Sequence, residues 1–297
     1  LKLITNPGSN LTDALLAHYE VELTPQHIHV DGVAHDTRGG IARATIDEWV
    51  RAAKVHPYVL GTSAAEFVEI FKQAARADRE LVAIMTSKKI VGSYTAAVSA
   101  ARALGDVPGF KDVRVAVIDT ESTDLGAGFC TMVAGDAIRV GMSQVQVVNA
   151  VERFAKSGVL AMTLGTLDYL VKGGRASFLR AWLANLLDVT PLITFASGEL
   201  HAAERVSRSA NVPVAMADFV TKRVGAKRRV WMGISHGGDT RGASALAREI
   251  RARLDVVYEQ SRELQSSIYL NCGPGALGVF VYPVDEVGFE LPVPPTS

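Results

Sequence analysis

Hydroxyls recur at fixed points along this chain, each at the end of an apolar run. Leu81 to Met85 breaks into Thr86 and Ser87, and Gly92-Ser93-Tyr94 then opens an alanine-rich segment with helical spacing. Strand, hydroxyl turn and helix start in that order bring backbone N–H groups and a helix dipole to one point. An anionic group suits such a point. The order recurs at Leu1–Ile4 before Thr5-Asn6-Pro7-Gly8-Ser9-Asn10, at Tyr58–Leu60 before Gly61-Thr62-Ser63, and at Arg114–Ile118 before Asp119-Thr120-Glu121-Ser122. Each hydroxyl alone reads as an ordinary helix cap. Four together point to a ligand-binding edge on a parallel sheet.

Other groupings carry less. Gly233-Ile234-Ser235-His236-Gly237 fits the G-x-S-x-G pattern of a nucleophile elbow, between an expected strand and an expected helix. Such hydrolases place their histidine after the serine, and no histidine follows His236. A triad would need an upstream histidine such as His29 or His56, so hydrolysis at Ser235 is the weaker reading. His27 and His29 alternate on an expected strand and share a face, yet no third ligand with recognisable spacing follows. No metal or cofactor site is expected. There is no Walker A pattern, and Gly126-Ala127-Gly128 lacks the third glycine of a dinucleotide loop.

The elements that must position these groups form a chain of 297 residues, long enough for two domains on length alone. Lys plus Arg and Asp plus Glu each number 31, so no charge excess marks a nucleic-acid binder. The basic run Lys227-Arg228-Arg229 reads as a solvated strand entry. Two cysteines, Cys130 and Cys272, fit a reducing compartment. No apolar run is long enough to span a bilayer, and no signal-peptide layout is visible, so a cytoplasmic, soluble protein is expected. Because the chain opens on Leu1 rather than Met, its start is expected to be processed or to lie upstream.

Helices are expected from near Thr12, beyond Glu66, from Gly126 to Val140 and from Ser143 to Lys156. Gly158 then marks a domain boundary. The second half is expected to be mixed: a strand at Val159–Leu164, and helices at Leu167–Val171 and Phe178–Leu187 flanking Lys172-Gly173-Gly174-Arg175. A hairpin pairs Val189–Phe195 with His201–Val206 through Ser197-Gly198-Glu199. A helix at Ala243–Leu254 follows, and strands at Val230–Ile234, Ser266–Leu270 and Val279–Val284 complete the sheet. The organisation read from this is an N-terminal α/β domain over 1–157 with a parallel sheet, a C-terminal α/β domain over 158–290 with a mixed sheet, and a disordered tail over 291–297. The glycines of Gly273-Pro274-Gly275-Ala276-Leu277-Gly278 mark tight turns, and Gly275 could let a ligand approach closely.

In their order these pieces resemble the DegV family. The resemblance rests on the N-terminal loop, His29-Val30-Asp31-Gly32, Thr62-Ser63, Lys89-Ile90-Val91-Gly92-Ser93-Tyr94, Val117-Ile118-Asp119-Thr120, Leu167 through Arg175, Pro191-Leu192-Ile193 and Gly273 through Gly278. It covers nearly the whole chain. It implies two α/β domains with a long-chain fatty acid in the cleft between them, held as a carrier and presented to a separate fatty acid kinase subunit. On this resemblance Thr62 donates to the carboxylate, with Ser63, Ser93 or the Gly92 N–H beside it. Asn271 stands as a neutral group on the C-terminal side, and Arg175 contacts a partner. A module for a different small ligand is the alternative. The chain departs from the family pattern at several points. Asn6-Pro7-Gly8-Ser9-Asn10 replaces an Asp/Ser/Thr run, and Ala64-Ala65 follows Thr62-Ser63. Val91 stands where a carboxylate-binding serine is usual, Asn271 where a histidine is, and Ser207 and Ser209 where arginines are.

Overall fold

The computed structural model describes residues 1–174, 176, 189–207 and 211–295. The expected helix at Phe178–Leu187, together with Arg175 and Ser209, lies outside them. Three sheets organise the described chain.

The first is parallel. Strands β1 (Lys2–Thr5), β2 (Val21–Leu23), β6 (Glu80–Met85) and β7 (Arg114–Asp119) pair in the order β2-β1-β6-β7. Side chains alternate across a strand, and here both faces are covered. Ile4, Leu81, Ala83 and Met85 pack with Phe67 and Phe71 of helix α3 (Ala64–Ala74) and with Ala97 and Ala100 of α4 (Ser93–Leu104). Leu3, Val82 and Ile84 face the other way, onto α5 (Asp124–Arg139). A parallel sheet needs cover on both sides, which explains the near-continuous apolar run of β6.

The Tyr58–Leu60 strand was expected in that sheet and lies elsewhere. It forms β5 (Tyr58–Gly61), antiparallel to β3 (Gln26–Val30), which also pairs with β4 (Val33–Asp36). Tyr58 and Leu60 are about half exposed; a strand with one wet face suits an antiparallel sheet and not the interior of a parallel one. The β3–β4 turn uses Asp31 (φ 46°) and Gly32 (φ 89°), the left-handed pair that a two-residue hairpin demands. Helix α2 (Arg43–Ala52) packs between β4 and β5 in sequence and reaches across to the C-terminal half.

The third sheet is mixed: β8 (Val159–Thr163), β9 (Val189–Ala196), β10 (Glu199–Ser207), β11 (Arg229–His236), β12 (Asp255–Glu263) and β13 (Leu277–Pro283), in the order β10-β9-β8-β13-β11-β12. Only the β11–β12 pair is parallel. Its outer face carries Val230, Met232 and Ile234 against α8 (Val212–Val224) and α9 (Thr240–Arg251). Two expectations change here. Ser266–Leu270 is helical, as α10 (Ser266–Cys272), with the Gln265 side chain accepting from Ser267 N–H. The sheet-completing strand is instead β12, whose polar, charged run hid it as an edge strand.

Helix α5 joins the two large sheets. Its residues Asp124 to Ala137 are all buried, which is the pattern of a helix covered on every side. Phe129 meets Trp231, Tyr258 and Tyr282 edge-on, at centroid separations of 5.6, 6.1 and 6.0 Å. One apolar cluster therefore runs from Leu3 and Ile84 through Phe129 to Trp231 and Phe280. Helix α6 (Gln144–Ser157) extends it, stacking Phe154 on Tyr282. A short helix α1 (Asp13–His18), capped by Thr12, and α7 (Asp168–Lys172) complete the described helices.

Candidate functional site

Where the three sheets converge there is a cavity of about 420 Å³. Its walls come from every part of the fold: Gln26 and Val59 from the small sheet, Ile90 and Val91 from the loop after β6, Met162 and Phe280 from the mixed sheet, and Ile268 and Asn271 from α10. Most of the lining is apolar. The polar groups gather in separate places, as in pockets that solvate a chain and orient it by a few donors.

One polar place is half exposed. Lys89 Nζ lies 2.7 Å from Glu199 Oε1, and each holds the other's charged form, raising the ammonium and lowering the carboxyl. Beneath it Ser87 Oγ donates to Gly198 O at 2.7 Å, tying the loop after β6 to the β9–β10 turn. That turn places Ser197 (φ 50°) and Gly198 (φ 77°) in the left-handed region, as its sequence requires.

A second polar place is buried. Thr123 and Asp124 line the cavity at the start of α5, 6% and 0% exposed. Asn10 Nδ2 donates to Asp124 Oδ1 at 2.5 Å and to Glu263 O at 3.0 Å. Asn10 is itself left-handed (φ 50°), a conformation that a short amide side chain tolerates, and Arg262 Nη1 donates to its carbonyl at 2.5 Å. Burial lifts the Asp124 carboxyl from 3.8 to about 6, opposed by the Ser235 hydroxyl, the Asn10 amide and the Arg262 charge. Asp124 Oδ2, Thr123 Oγ1, Ser9 Oγ and Ser235 Oγ are buried without a well-formed hydrogen bond.

Much of the expected hydroxyl edge is already satisfied internally. Thr5 Oγ1 donates to Ile84 O, Thr120 Oγ1 to Met85 O, and Asn6 and Thr86 bond reciprocally through Asn6 Nδ2–Thr86 Oγ1 and Thr86 N–Asn6 Oδ1. Ser63 is an exposed helix cap, forming a capping box with Glu66. Thr62 is buried; its hydroxyl donates to Pro25 O at 2.5 Å and shares a hydrogen bond with Thr24 Oγ1. Ser93 is buried at the start of α4 with its Oγ unpaired and facing Gly61, where an added Cβ would come within 2.2 Å of it. Val91 presses on the same glycine and also lines the cavity. Thr62, Ser63, Gly92 and Ser93 thus share one corner, bordering the lining without entering it.

Asn271 does enter it. Its Nδ2 donates to Ser267 O at 3.0 Å, and its Oδ1 lies where a Gly173 side chain would begin, 2.5 Å away. The Lys172-Gly173-Gly174 segment therefore packs on Asn271, while Gly273 packs on Tyr169. Gly275 (φ 72°) admits not a ligand but the backbone of Gly165, 3.2 Å from its Cβ position. Arg175 lies outside the described residues.

Ser235 sits inside strand β11, in register with Gly278 on one side and Arg262 on the other, rather than on a sharp elbow. It is fully buried, and its hydroxyl neighbours Asp124. His236 accepts at Nδ1 from Gly238 N–H instead of serving Ser235. His29 stacks on Tyr58, and among the described residues no group of three or more His, Cys, Asp or Glu side chains is placed to hold a metal ion. Both cysteines are buried and no disulfide joins them. No helix among the described residues is long and apolar enough to cross a membrane.

The family model described as uncharacterised protein, DegV family, matches residues 1–284. The chain belongs to the DegV family. A DegV domain-containing protein of Deinococcus radiodurans is 28% identical over 290 residues, 96% of this chain and 99% of its own length. A second DegV domain-containing protein, from Caldanaerobacter subterraneus, is 26% identical over 94% of this chain and 98% of its own. Among solved structures, a DegV family protein from Thermus thermophilus, described by its fatty acid binding, superimposes with a TM-score of 0.87. It covers 95% of this chain and 99% of its own at 25% identity. A Ruminococcus gnavus DegV family protein with vaccenic acid shares the DegV fold at a TM-score of 0.84 and 18% identity, over 94% of this chain and 98% of its own.

The buried Asp124 locus was not anticipated from sequence. Its signal was available: Thr123-Asp124 follows a strand end and opens a helix, the same context that drew attention to the hydroxyls.

Proposed function

We propose that this DegV protein binds a long-chain fatty acid in the cavity between its halves and acts as a carrier in the cytoplasm. The observation that carries the reading is the cavity itself, about 420 Å³, apolar along most of its lining and walled by the small sheet, the mixed sheet and the loops that follow the strands of the parallel sheet. Burying roughly fourteen methylenes at about 0.8 kcal/mol each supplies about 11 kcal/mol before the costs of binding. The chain alone can therefore drive association, and the head group needs only orientation. The likeness to the Thermus thermophilus protein supports the same ligand class.

The carboxylate is assigned to the corner of Thr62, Ser63, Gly92 and Ser93, with Asn271 opposite. The proposed donor there is the unpaired Ser93 hydroxyl, which lies with Val91 against Gly61 and reaches the carboxylate only when Val91 yields. For Thr62 to donate, its proton must turn away from Pro25 O. Neutral donors leave the carboxylate without a fixed counter-charge, which suits transfer to a fatty acid kinase; Arg175 is the proposed contact for that partner. Displacement of a fluorescent fatty acid by palmitic acid tests the reading. Submicromolar competition by palmitic acid that weakens in Thr62→Ala and Ser93→Ala, both still folded, supports it. Absence of competition in the wild-type protein contradicts it.

A further inference from the structure

The Ser93 hydroxyl meets the ligand only when Val91 yields, so the head group needs a donor that already faces the cavity. Gln26 is placed to be one. It opens β3, where alternate side chains share a face, and Gln26 and Ile28 are buried while His27 and His29 are partly exposed. Across the β3–β5 pair Gln26 stands opposite Gly61, the glycine against which Val91 and Ser93 pack. Directly opposed residues hold their Cβ atoms about 5 Å apart, so the Gln26 side chain starts at that same corner. Gln26 and Val91 both line the cavity.

The amide of Gln26 is also oriented. The Thr37 hydroxyl donates to Gln26 O at 3.1 Å and to Oε1 at 3.3 Å, which occupies the acceptor end. Among the described residues Nε2 has no hydrogen-bond partner, yet it is not sealed off as the Ser93 hydroxyl is. Gln26 as a whole is only 2% exposed, so the surface that Nε2 keeps opens onto the cavity it lines. A methylene laid there would leave a buried donor unsatisfied. The carboxylate is the acceptor that a fatty acid carries, and an amide N–H to an ionised oxygen is a strong kind of hydrogen bond. Lys89 also lines the cavity, but Glu199 holds its ammonium at the half-exposed edge, and a carboxylate there would have to displace that partner.

We propose that the Gln26 carboxamide anchors the head group, donating from Nε2 to the fatty-acid carboxylate at the Gly61 corner while Thr37 holds Oε1. This rests on the fatty-acid reading above and assigns the donor that the hydroxyls of that corner do not supply with Val91 in place.

Competition binding on the delipidated protein tests it, with palmitic acid set against methyl palmitate. In Gln26→Leu and Gln26→Met palmitic acid is expected to bind about tenfold or more weakly, while methyl palmitate, which has no charge to anchor, changes by less than about threefold. The ratio of the two affinities is the readout, because a disturbed cavity wall weakens both alike. Thr37→Val leaves Gln26 in place but frees its amide to turn, and is expected to lower the ratio part of the way. Lys89→Met is expected to leave it unchanged. Far-ultraviolet circular dichroism confirms folding, and one folded variant at Gln26 or Thr37 suffices. If palmitic acid binds the wild type and the ratio is unchanged in that variant, the anchor is overturned and the fatty-acid reading stands. A ratio that collapses in Lys89→Met instead puts the carboxylate at the edge of the cavity and also overturns the anchor. If palmitic acid does not bind the wild type, the fatty-acid reading itself fails, and the anchor with it.

Discussion

Replacing Asp124 by Asn should change how stability depends on pH. In the fold the carboxyl is fully buried and raised from 3.8 to about 6, desolvation outweighing the Ser235, Asn10 and Arg262 interactions. In the unfolded chain it ionises near its ordinary value. Between the two values the folded state holds the proton that the unfolded state has lost, so stability falls as pH rises. The stabilising contribution of the protonated form is complete below 3.8 and is gone once pH has passed about 6. Converted at about 1.4 kcal/mol per pH unit, the loss is about 3 kcal/mol. The side-chain amide in Asp124→Asn has no proton to lose, and its oxygen still accepts from Asn10. Asp136, lifted by burial to about 7, adds a slope of the same sign in both proteins and cancels in the difference. Urea unfolding of delipidated protein, followed by tryptophan fluorescence, measures that difference at about pH 4 and about pH 8. The wild type should lose about 2.5 kcal/mol more than Asp124→Asn across that window, because at about pH 4 the unfolded carboxyl is already partly ionised. Parallel pH profiles would refute the placement of an ionisable, poorly solvated carboxyl at this point.

Three further outcomes follow from the packing. Gly128→Ala would drive a Cβ to 2.4 Å from the Ser9 carbonyl, a backbone atom with little room to yield; it should cost about 1–3 kcal/mol in urea unfolding and displace the loop that carries Asn10. Leu200→Trp fills the cavity from the β10 side, so the protein should fold but accept shorter chains, read as a shift in preference from stearic towards lauric acid in competition binding. Thr62→Ala leaves Thr24 and Pro25 O without a buried partner and should lower stability by about 1–2 kcal/mol, besides weakening fatty-acid binding.

The parallel sheet was legible because its strands are buried on both faces and read as unbroken apolar runs ending in hydroxyls. The same rule misplaced Tyr58–Leu60, since three apolar residues before a hydroxyl turn look alike in either kind of sheet. Only the exposure of Tyr58 and Leu60, a tertiary property, separates them. Strand β12 was hidden for the converse reason: an edge strand needs little apolar character, and Asp255–Glu263 has polar residues at most positions. At the site, the loop after β6 was visible in the sequence. The destinations of its hydroxyls were not, because whether a threonine binds a ligand or a neighbouring carbonyl depends on contacts some eighty residues away, as between Thr5 and Ile84. Asp124 was missed for the same reason. Its partners Asn10 and Ser235 lie 114 and 111 positions away in sequence, and only the seating of α5 between the sheets brings them together.

The central claim, that the cavity is built for a fatty acid, is tested most directly by native mass spectrometry of the protein purified without added lipid. The account predicts a one-to-one adduct with the mass of a carboxylic acid of about fourteen to eighteen carbons, released by organic extraction. A protein that is ligand-free, or that carries a polar molecule displaced by no fatty acid, would contradict it.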